Sequence, residues 1–383
     1  MRRGTSKQIA TIVSADIGLS SSLVRSNSGF EELCTYNWGS GFFIYVPGAP
    51  PKWTPPQLPH SLPKDSGMYH IDENGSKAPD FPFLPLFKSL RVMRPLFNFA
   101  SVDLLANRNS LRKLTNFAMG KVNQSFRIDL YVVQTTLVMV RHERNTIELV
   151  PGSKDSGYGH NFEDAFTTPE PGLEGNRGHH RVVQYLLGDL RCVVQFEVDA
   201  WYEAGAGDSG ADASTAPAAS GVDSLLPSLG QLSVTEPSTG KRPQRAGSDL
   251  AVVQCGRTVP SCKLAEVKTN GQNIARVMQQ VWFGRTPYLL GGVRRKEGVF
   301  TGVELTDVGS RFPKWEAENQ KSLRKLSRLI AELKAVAMKS KTGACVVTCD
   351  KAVKPARLDI FEPSFKAKTR TVPEEFVREF WRA

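Results

Sequence analysis

No apolar run in the 383 residues approaches the ~18 that a bilayer crossing requires, so a membrane partner is not expected. The six cysteines, at positions 34, 192, 255, 262, 345 and 349, form no Cys-x-x-Cys and no tight cluster with the six histidines. Neither a zinc site nor a disulfide framework is signalled, and a reducing, intracellular setting fits best. No two aspartates are adjacent anywhere, which removes the Asp-Asp-x-x-Asp chelation on which the all-helical prenyl-diphosphate synthases depend. Acidic residues are outnumbered by basic ones: the formal charge is +11 and the pI about 9.4, which favours an anionic partner, nucleic acid first. At 40% hydrophobic and 23% charged the composition is that of an ordinary globular protein with a sizeable core.

What is present is acid in apolar company. Gln195-Phe196-Glu197-Val198-Asp199-Ala200 follows Cys192-Val193-Val194, and Lys263-Leu264-Ala265-Glu266-Val267-Lys268 carries its own apolar residues, so each reads as a strand near a core. Strand alternation turns Glu197 and Asp199 to one face and pairs Glu266 with Lys268 on another. Carboxylates near a core repel one another and desolvate badly unless a cation holds them, and oxygen ligands of this kind suit Mg²⁺ or Mn²⁺. With a lysine turned toward a phosphate, this is the arrangement of a metal-dependent phosphodiester or pyrophosphate hydrolase.

Residues 1–28, with Arg2, Arg3, Lys7 and Arg25 among serines, read as a loose tail ahead of one domain over 29–383. Proline-dense residues 45–64 read as a surface strap, and 102–117 as a helix with Arg108 turned inward. Residues 127–133 and 136–140 form an expected hairpin, and 181–187 and 191–201 a second antiparallel pair. Between 204 and 248 the composition shifts to Gly, Ala, Ser, Pro, Asp and Thr, the pattern of a disordered insertion rather than of a domain boundary. Ile274, Val277, Met278, Val281 and Trp282 recur at helical spacing, with Gln280 at the edge of their stripe. Strands are expected over 287–293, 298–305 and 344–348, and an amphipathic helix over 316–339 whose Lys321, Arg324, Lys325 and Arg328 face outward. The expectation is a mixed α/β (α+β) fold.

In order, these motifs resemble the DXO/Rai decapping family, whose core is similar to the PD-(D/E)XK nucleases: a central mixed sheet flanked by helices, with a second smaller sheet. Asn107-Arg108-Asn109-Ser110-Leu111-Arg112-Lys113-Leu114 fits the family's arginine-bearing start of a helix, without its tryptophan or glycine. Gly159-His160-Asn161-Phe162-Glu163 fits Gly-x-x-Phe-Glu, Glu197-Val198-Asp199 the acid-x-Asp motif, and Glu266-Val267-Lys268 the acid-x-Lys motif. Gln280, Pro287, Gly292 and Arg294 keep the spacing of the family's Gln…Pro…Gly-Phe-Arg stretch. The resemblance implies that Glu163, Asp199 and Glu266 hold Mg²⁺ or Mn²⁺, with Glu197 acting through a water. It implies that Lys268 and Gln280 position the attacking water and the substrate, and that Arg108 binds phosphate. It further implies an RNA 5′ end as substrate, with incomplete or NAD-type caps or 5′ pyrophosphate removed and 5′-3′ exoribonuclease action in some relatives. Nucleus or cytoplasm would be the setting. The alternative it leaves is an RNA-binding protein that stabilises a partner 5′-3′ exoribonuclease.

Overall fold

Asp199 stands where the chain passes directly from a large sheet into a smaller one. The computed structural model of the chain describes residues 1–203, 250–269, 274–364 and 372–382. Among them the larger sheet has eleven strands, which run edge to edge Thr5–Val13, Arg357–Pro363, Ala344–Cys349, Phe126–Val133, Thr136–His142, Leu104–Asn107, Leu190–Val198, Arg177–Leu187, Glu31–Trp38, Phe43–Gly48 and Ala251–Gly256. Leu104–Asn107 is parallel to both neighbours and sits at the middle, so Leu104, Leu105 and Ala106 are wholly buried. The smaller sheet runs Thr167–Thr168, Lys52–Trp53, Ala200–Trp201, Leu264–Thr269, Tyr288–Lys296, Val299–Asp307 and His60–Ser61. This is the expected mixed architecture with a second, smaller sheet.

Seven helices among the described residues cover these sheets: α1 (Glu73–Lys77), α2 (Leu84–Met93), α3 (Arg108–Ala118), α4 (Gly159–Phe166), α5 (Ile274–Gly284), α6 (Phe312–Lys339) and α7 (Glu374–Phe380). Leu111, Leu114 and Phe117 of α3, Val281 and Trp282 of α5, and Leu323, Leu326 and Leu329 of α6 fill one core against the large sheet. On the opposite face α2 and α7 bring Phe87, Phe376, Phe380 and Trp381 together in an aromatic core. The α4 helix belongs to the smaller sheet, where Phe162 stacks on Phe166 at 4.0 Å between centroids and tilts against Phe300 at 4.6 Å. No described helix is long and apolar enough to cross a membrane.

Several expectations are corrected. The first 28 residues are no loose tail. Thr5–Val13 pairs antiparallel with Arg357–Pro363, a contact between opposite ends of the chain that no local pattern announces. The stretch after it lies on α6: Ser26 N donates to Glu316 Oε1 at 2.8 Å, and Gln320 Nε2 donates to Val24 O at 2.7 Å. Two members of the supposedly free basic face of α6 are used in the same way, Arg324 Nε donating to Ser20 O and Lys325 Nζ to Ser14 O. The proline-dense strap is partly sheet, since Phe43–Gly48 pairs in parallel with Ala251–Gly256 straight through Pro47. The expected helix over 102–117 begins only at Arg108. Leu104–Asn107 is a strand, and the Asn107 side chain stops it by accepting from Ser110 N at 3.0 Å as the N-cap of α3. The insertion expected over 204–248 lies outside the described residues.

Gly292 lets α4 approach the smaller sheet, because a Cβ there would stand 2.6 Å from Phe162 Cε2 and 2.8 Å from Phe300 Cδ1. Overpacking of this kind costs about 1–3 kcal/mol. Gly292→Ala is therefore expected to lower stability by that amount in urea denaturation. A loss under about 0.5 kcal/mol would show that α4 is not held by this contact.

Candidate active site

The two acidic stretches meet where the chain changes sheets. Leu190–Val198 ends in the large sheet, Ala200–Trp201 opens in the small one, and Leu264–Thr269 pairs with the latter in the register Ala200↔Ala265. The expected neighbours are thus joined through a two-residue strand rather than along Glu197. Asp199, at the break, is left to bond sideways: its Oδ2 accepts from Val267 N at 2.9 Å and from Lys268 Nζ at 3.2 Å.

Lys268 Nζ also donates to Glu266 Oε1, so one ammonium spans two carboxylates. Gln280, half-buried at the edge of the apolar stripe of α5, donates its Nε2 to the same Glu266 oxygen. Arg108 is the first residue of α3, and its Nη1 lies 3.7 Å from Glu266 Oε2 with the guanidinium over the Phe196 ring at 5.2 Å. Gly284, at the end of α5, makes that approach possible, because a Cβ there would be 3.0 Å from Arg108 Nη1. Glu266 is only 1% exposed and its Oε2 has no hydrogen-bond partner.

Glu163 comes from α4, whose first turn is satisfied by a residue distant in sequence: the buried Asp65 accepts from Asn161 N at 2.9 Å and from His160 N at 3.3 Å. Glu163, Glu197 and Asp199 line one cleft of about 210 Å³, with Tyr69 stacked on His160 at 3.6 Å along its wall. A second cleft, of about 230 Å³, is lined by Arg108, Arg112, Arg141, His180 and Phe196. Glu73 and Glu197 line both and divide them. Glu73, buried on the short α1, lies 3.6 Å from His180 Nε2 and 3.0 Å from Lys77 Nζ. Burial would raise its pKa, but those two partners hold the carboxyl below the ordinary range.

The acids therefore differ in charge state. Burial would push Glu266 up, yet Lys268 and Arg108 together with the bonds from Lys268 and Gln280 hold it at about 2. Asp199 is raised to about 7, first by burial and then by the Glu266 charge, against the pull of Lys268. Burial and then Asp199 push Glu163 well above the usual carboxylate range. Burial would lower Lys268, but Asp199 and Glu266 raise it above its ordinary value, so it is a fixed cation.

All seven residues named from the sequence thus lie in one locale: Arg108, Asp199, Lys268 and Gln280 tied to Glu266 directly or through the ammonium, and Glu163 and Glu197 facing the adjoining cleft. Among the described residues no three His, Cys, Asp or Glu side chains stand ready-grouped for a metal ion. The donor set nonetheless fits a hard divalent cation. It is all oxygen, it includes a buried carboxylate oxygen without a hydrogen-bond partner, and burial together with neighbouring negative charge raises the pKa of both Asp199 and Glu163. Glu73, His180 and Gly284 went unmarked in the sequence reading. The first sits in an Asp-Glu-Asn-Gly stretch that reads as a turn, and the second in a His-His pair just ahead of the strand expected at 181.

The architecture is that of the Rai1 and Dxo1 proteins. Scheffersomyces stipitis Rai1, solved in complex with (3′-NADP)⁺ and a calcium ion, is 13% identical and matches with a TM-score of 0.58 over 94% of this chain and 95% of its own. Candida albicans Rai1 in complex with pU5-Mn²⁺ is 12% identical, with a TM-score of 0.57 over 97% and 98%. K. lactis Dxo1 in complex with manganese is 9% identical, with a TM-score of 0.51 over 94% and 98%. The chain belongs to the family DUF8563, described as a domain of unknown function, whose model matches residues 7–381. No curated protein matches the sequence.

Lys268→Met leaves Glu266 with a buried charge that Arg108 alone opposes, and breaking such a pair costs roughly 3–5 kcal/mol. The variant is expected to unfold at markedly lower denaturant, and adding Glu266→Gln should recover part of the loss. A single variant as stable as the wild type would show that the ammonium is not what keeps Glu266 ionised.

Proposed function

We propose that the protein is a divalent-metal-dependent hydrolase of RNA 5′ ends, removing incomplete or NAD-type caps or 5′ pyrophosphate. The observation that carries this reading is the single ammonium of Lys268 bound to both Asp199 and Glu266, beside a cleft lined by Glu163 and Glu197 among other acids. Glu163, Asp199 and Glu266 would hold Mg²⁺ or Mn²⁺, with Glu197 at the cleft mouth. The bound ion supplies Lewis-acid polarisation of the phosphoryl group and lowers the pKa of water. Lys268 stabilises charge that develops on the phosphoryl oxygens, and Gln280 fixes the orientation of Glu266 through its amide donor. Arg108, planar and permanently charged, binds a phosphate from the second cleft. The Rai1 and Dxo1 structures in complex with manganese and with nucleotide ligands support this reading, as does the net positive charge of the chain. The same scaffold would suit 5′-3′ exoribonuclease action or the docking of a 5′-3′ exoribonuclease.

The test is single-turnover cleavage of 5′-triphosphate and NAD-capped RNA with Mg²⁺ or Mn²⁺. Glu266→Gln is expected to abolish cleavage with the fold intact, and Lys268→Ala to slow it by roughly 100- to 1,000-fold. Equal activity in wild type and Glu266→Gln would sink the reading and leave an RNA-binding role.

Asp199 gives a pH dependence. Its folded pKa of about 7 lies above the ordinary 3.8, so the protonated form is favoured by folding. The stability it contributes to the metal-free protein is complete below the ordinary carboxylate range and is lost as pH rises through about 7. Metal affinity runs the opposite way, because the cation must displace that proton. The rise in Tm on adding Mn²⁺ is expected to be larger at pH 8 than at pH 6, and Asp199→Asn should reduce the difference. A metal-induced shift independent of pH would exclude Asp199 as a ligand.

A further inference from the structure

The cleft on the far side of Glu73 and Glu197 gathers three guanidinium groups. Arg108 and Arg112 are one turn apart on α3 and share a face. Arg141, from Thr136–His142, is fastened from behind: its Nε donates to Glu143 Oε1 at 2.6 Å, and the Asn109 amide, with its oxygen turned to it, accepts from Nε and Nη2 at 3.1 and 3.2 Å. All three guanidiniums line the same cleft. Burial first, and then the charges of Arg108 and Arg141, lower the pKa of Arg112, with Glu266 pulling the other way.

Arg112 Nε and Arg108 Nη1 are buried without hydrogen-bond partners. Of the nearby acids, Glu143 is engaged with Lys113 and Arg141, Glu73 with His180 and Lys77, Asp72 as the cap of α1, and Glu266 with Lys268, Gln280 and Arg108, while Glu197 stands exposed on the dividing wall. A like-charged cluster with buried, unpaired N–H groups is unfavourable unless an anion arrives to use them. The cleft also opens at the first turn of α3, the positive end of that helix. Its volume of about 230 Å³ equals several waters at ~30 Å³ each. Phosphate is an anion whose geometry guanidinium groups match, and it carries more charge than a carboxylate.

We propose that Arg112 and Arg141 join Arg108 in a subsite for the phosphoryl groups next to the scissile one, across Glu197 from the acids. The anion pocket rests on the three guanidinium groups that line one cleft and on the buried Arg112 Nε that lacks a hydrogen-bond partner. Only the bearer of the phosphates, an RNA 5′ end, rests on the proposed function. A 5′ end with two or more phosphates fills both clefts, whereas a 5′ monophosphate fills one, so Arg112 and Arg141 determine specificity rather than catalyse.

Calorimetric titration of the full chain with inorganic pyrophosphate, in the presence of EDTA, tests the pocket. Arg112→Gln and Arg141→Gln are each expected to weaken binding at least tenfold, while Arg328→Gln, on the exposed side of α6, leaves it unchanged. Arg112→Gln should keep or raise the Tm, since it relieves repulsion. Binding that survives both pocket variants, that falls equally in Arg328→Gln, or a marked drop in Tm on removing Arg112 would overturn the proposal, the last by making the guanidinium a structural strut. A second arm compares hydrolysis of 5′-triphosphate and 5′-monophosphate RNA, where Arg112→Gln should lower the ratio at least tenfold. Pyrophosphate binding that needs Arg112 in a protein inert toward RNA would refute the proposed function and keep the pocket. RNA hydrolysis with pyrophosphate binding indifferent to Arg112 and Arg141 would do the reverse.

Discussion

One ammonium holds this site together. Lys268 stands between Asp199 and Glu266, and without it a carboxylate that is 1% exposed would have to give up its charge or its burial. The surrounding elements are arranged for that contact. The chain leaves the large sheet at Asp199 so that the side chain can reach Val267 N and Lys268, while α5 presents Gln280 and α3 begins with Arg108. Because Glu266 Oε1 accepts two hydrogen bonds while Oε2 accepts none and faces Arg108 only at 3.7 Å, the cluster is poised rather than closed.

The fold places opposite charges side by side. Acids gather where the two sheets meet, guanidiniums gather at the start of α3, and Glu73 and Glu197 form the wall between them. A phosphorylated chain end bridges such a pair of clefts more naturally than a neutral small molecule does, since each cleft offers it a different handle. The hydrogen-bond inventory points the same way: Glu266 Oε2 and Arg108 Nη1 face each other at 3.7 Å without a hydrogen bond, and Arg112 Nε has no hydrogen-bond partner.

Much of this was legible in the sequence because it depends on short-range periodicity. The acid-x-Lys stretch sits on a strand and the acid-x-Asp stretch begins on one, although the strand expected over 191–201 breaks at Asp199; Gln280 lies at the edge of its helix as spacing predicted, and the order of motifs named a fold that the Rai1 and Dxo1 structures share. What was hidden depends on long-range pairing. Thr5–Val13 looks like a tail until Arg357–Pro363 is laid beside it. The α3 boundary turns on one Asn107 cap rather than on the apolar pattern that runs past it. Glu73 and His180 meet from segments more than 100 residues apart, and Arg141 joins Arg108 only because its strand lies under α3. Each is a single polar residue whose neighbours carry no periodic signal.

The central claim is that the carboxylates around Lys268 are a divalent-metal centre. Anomalous diffraction from crystals soaked in Mn²⁺ tests it most directly. The account predicts one strong peak among the side chains of Glu163, Asp199 and Glu266, with Lys268 withdrawn from at least one of its two carboxylates. Crystals with no peak there, in which the ammonium still bridges Asp199 and Glu266 at saturating Mn²⁺, would contradict it.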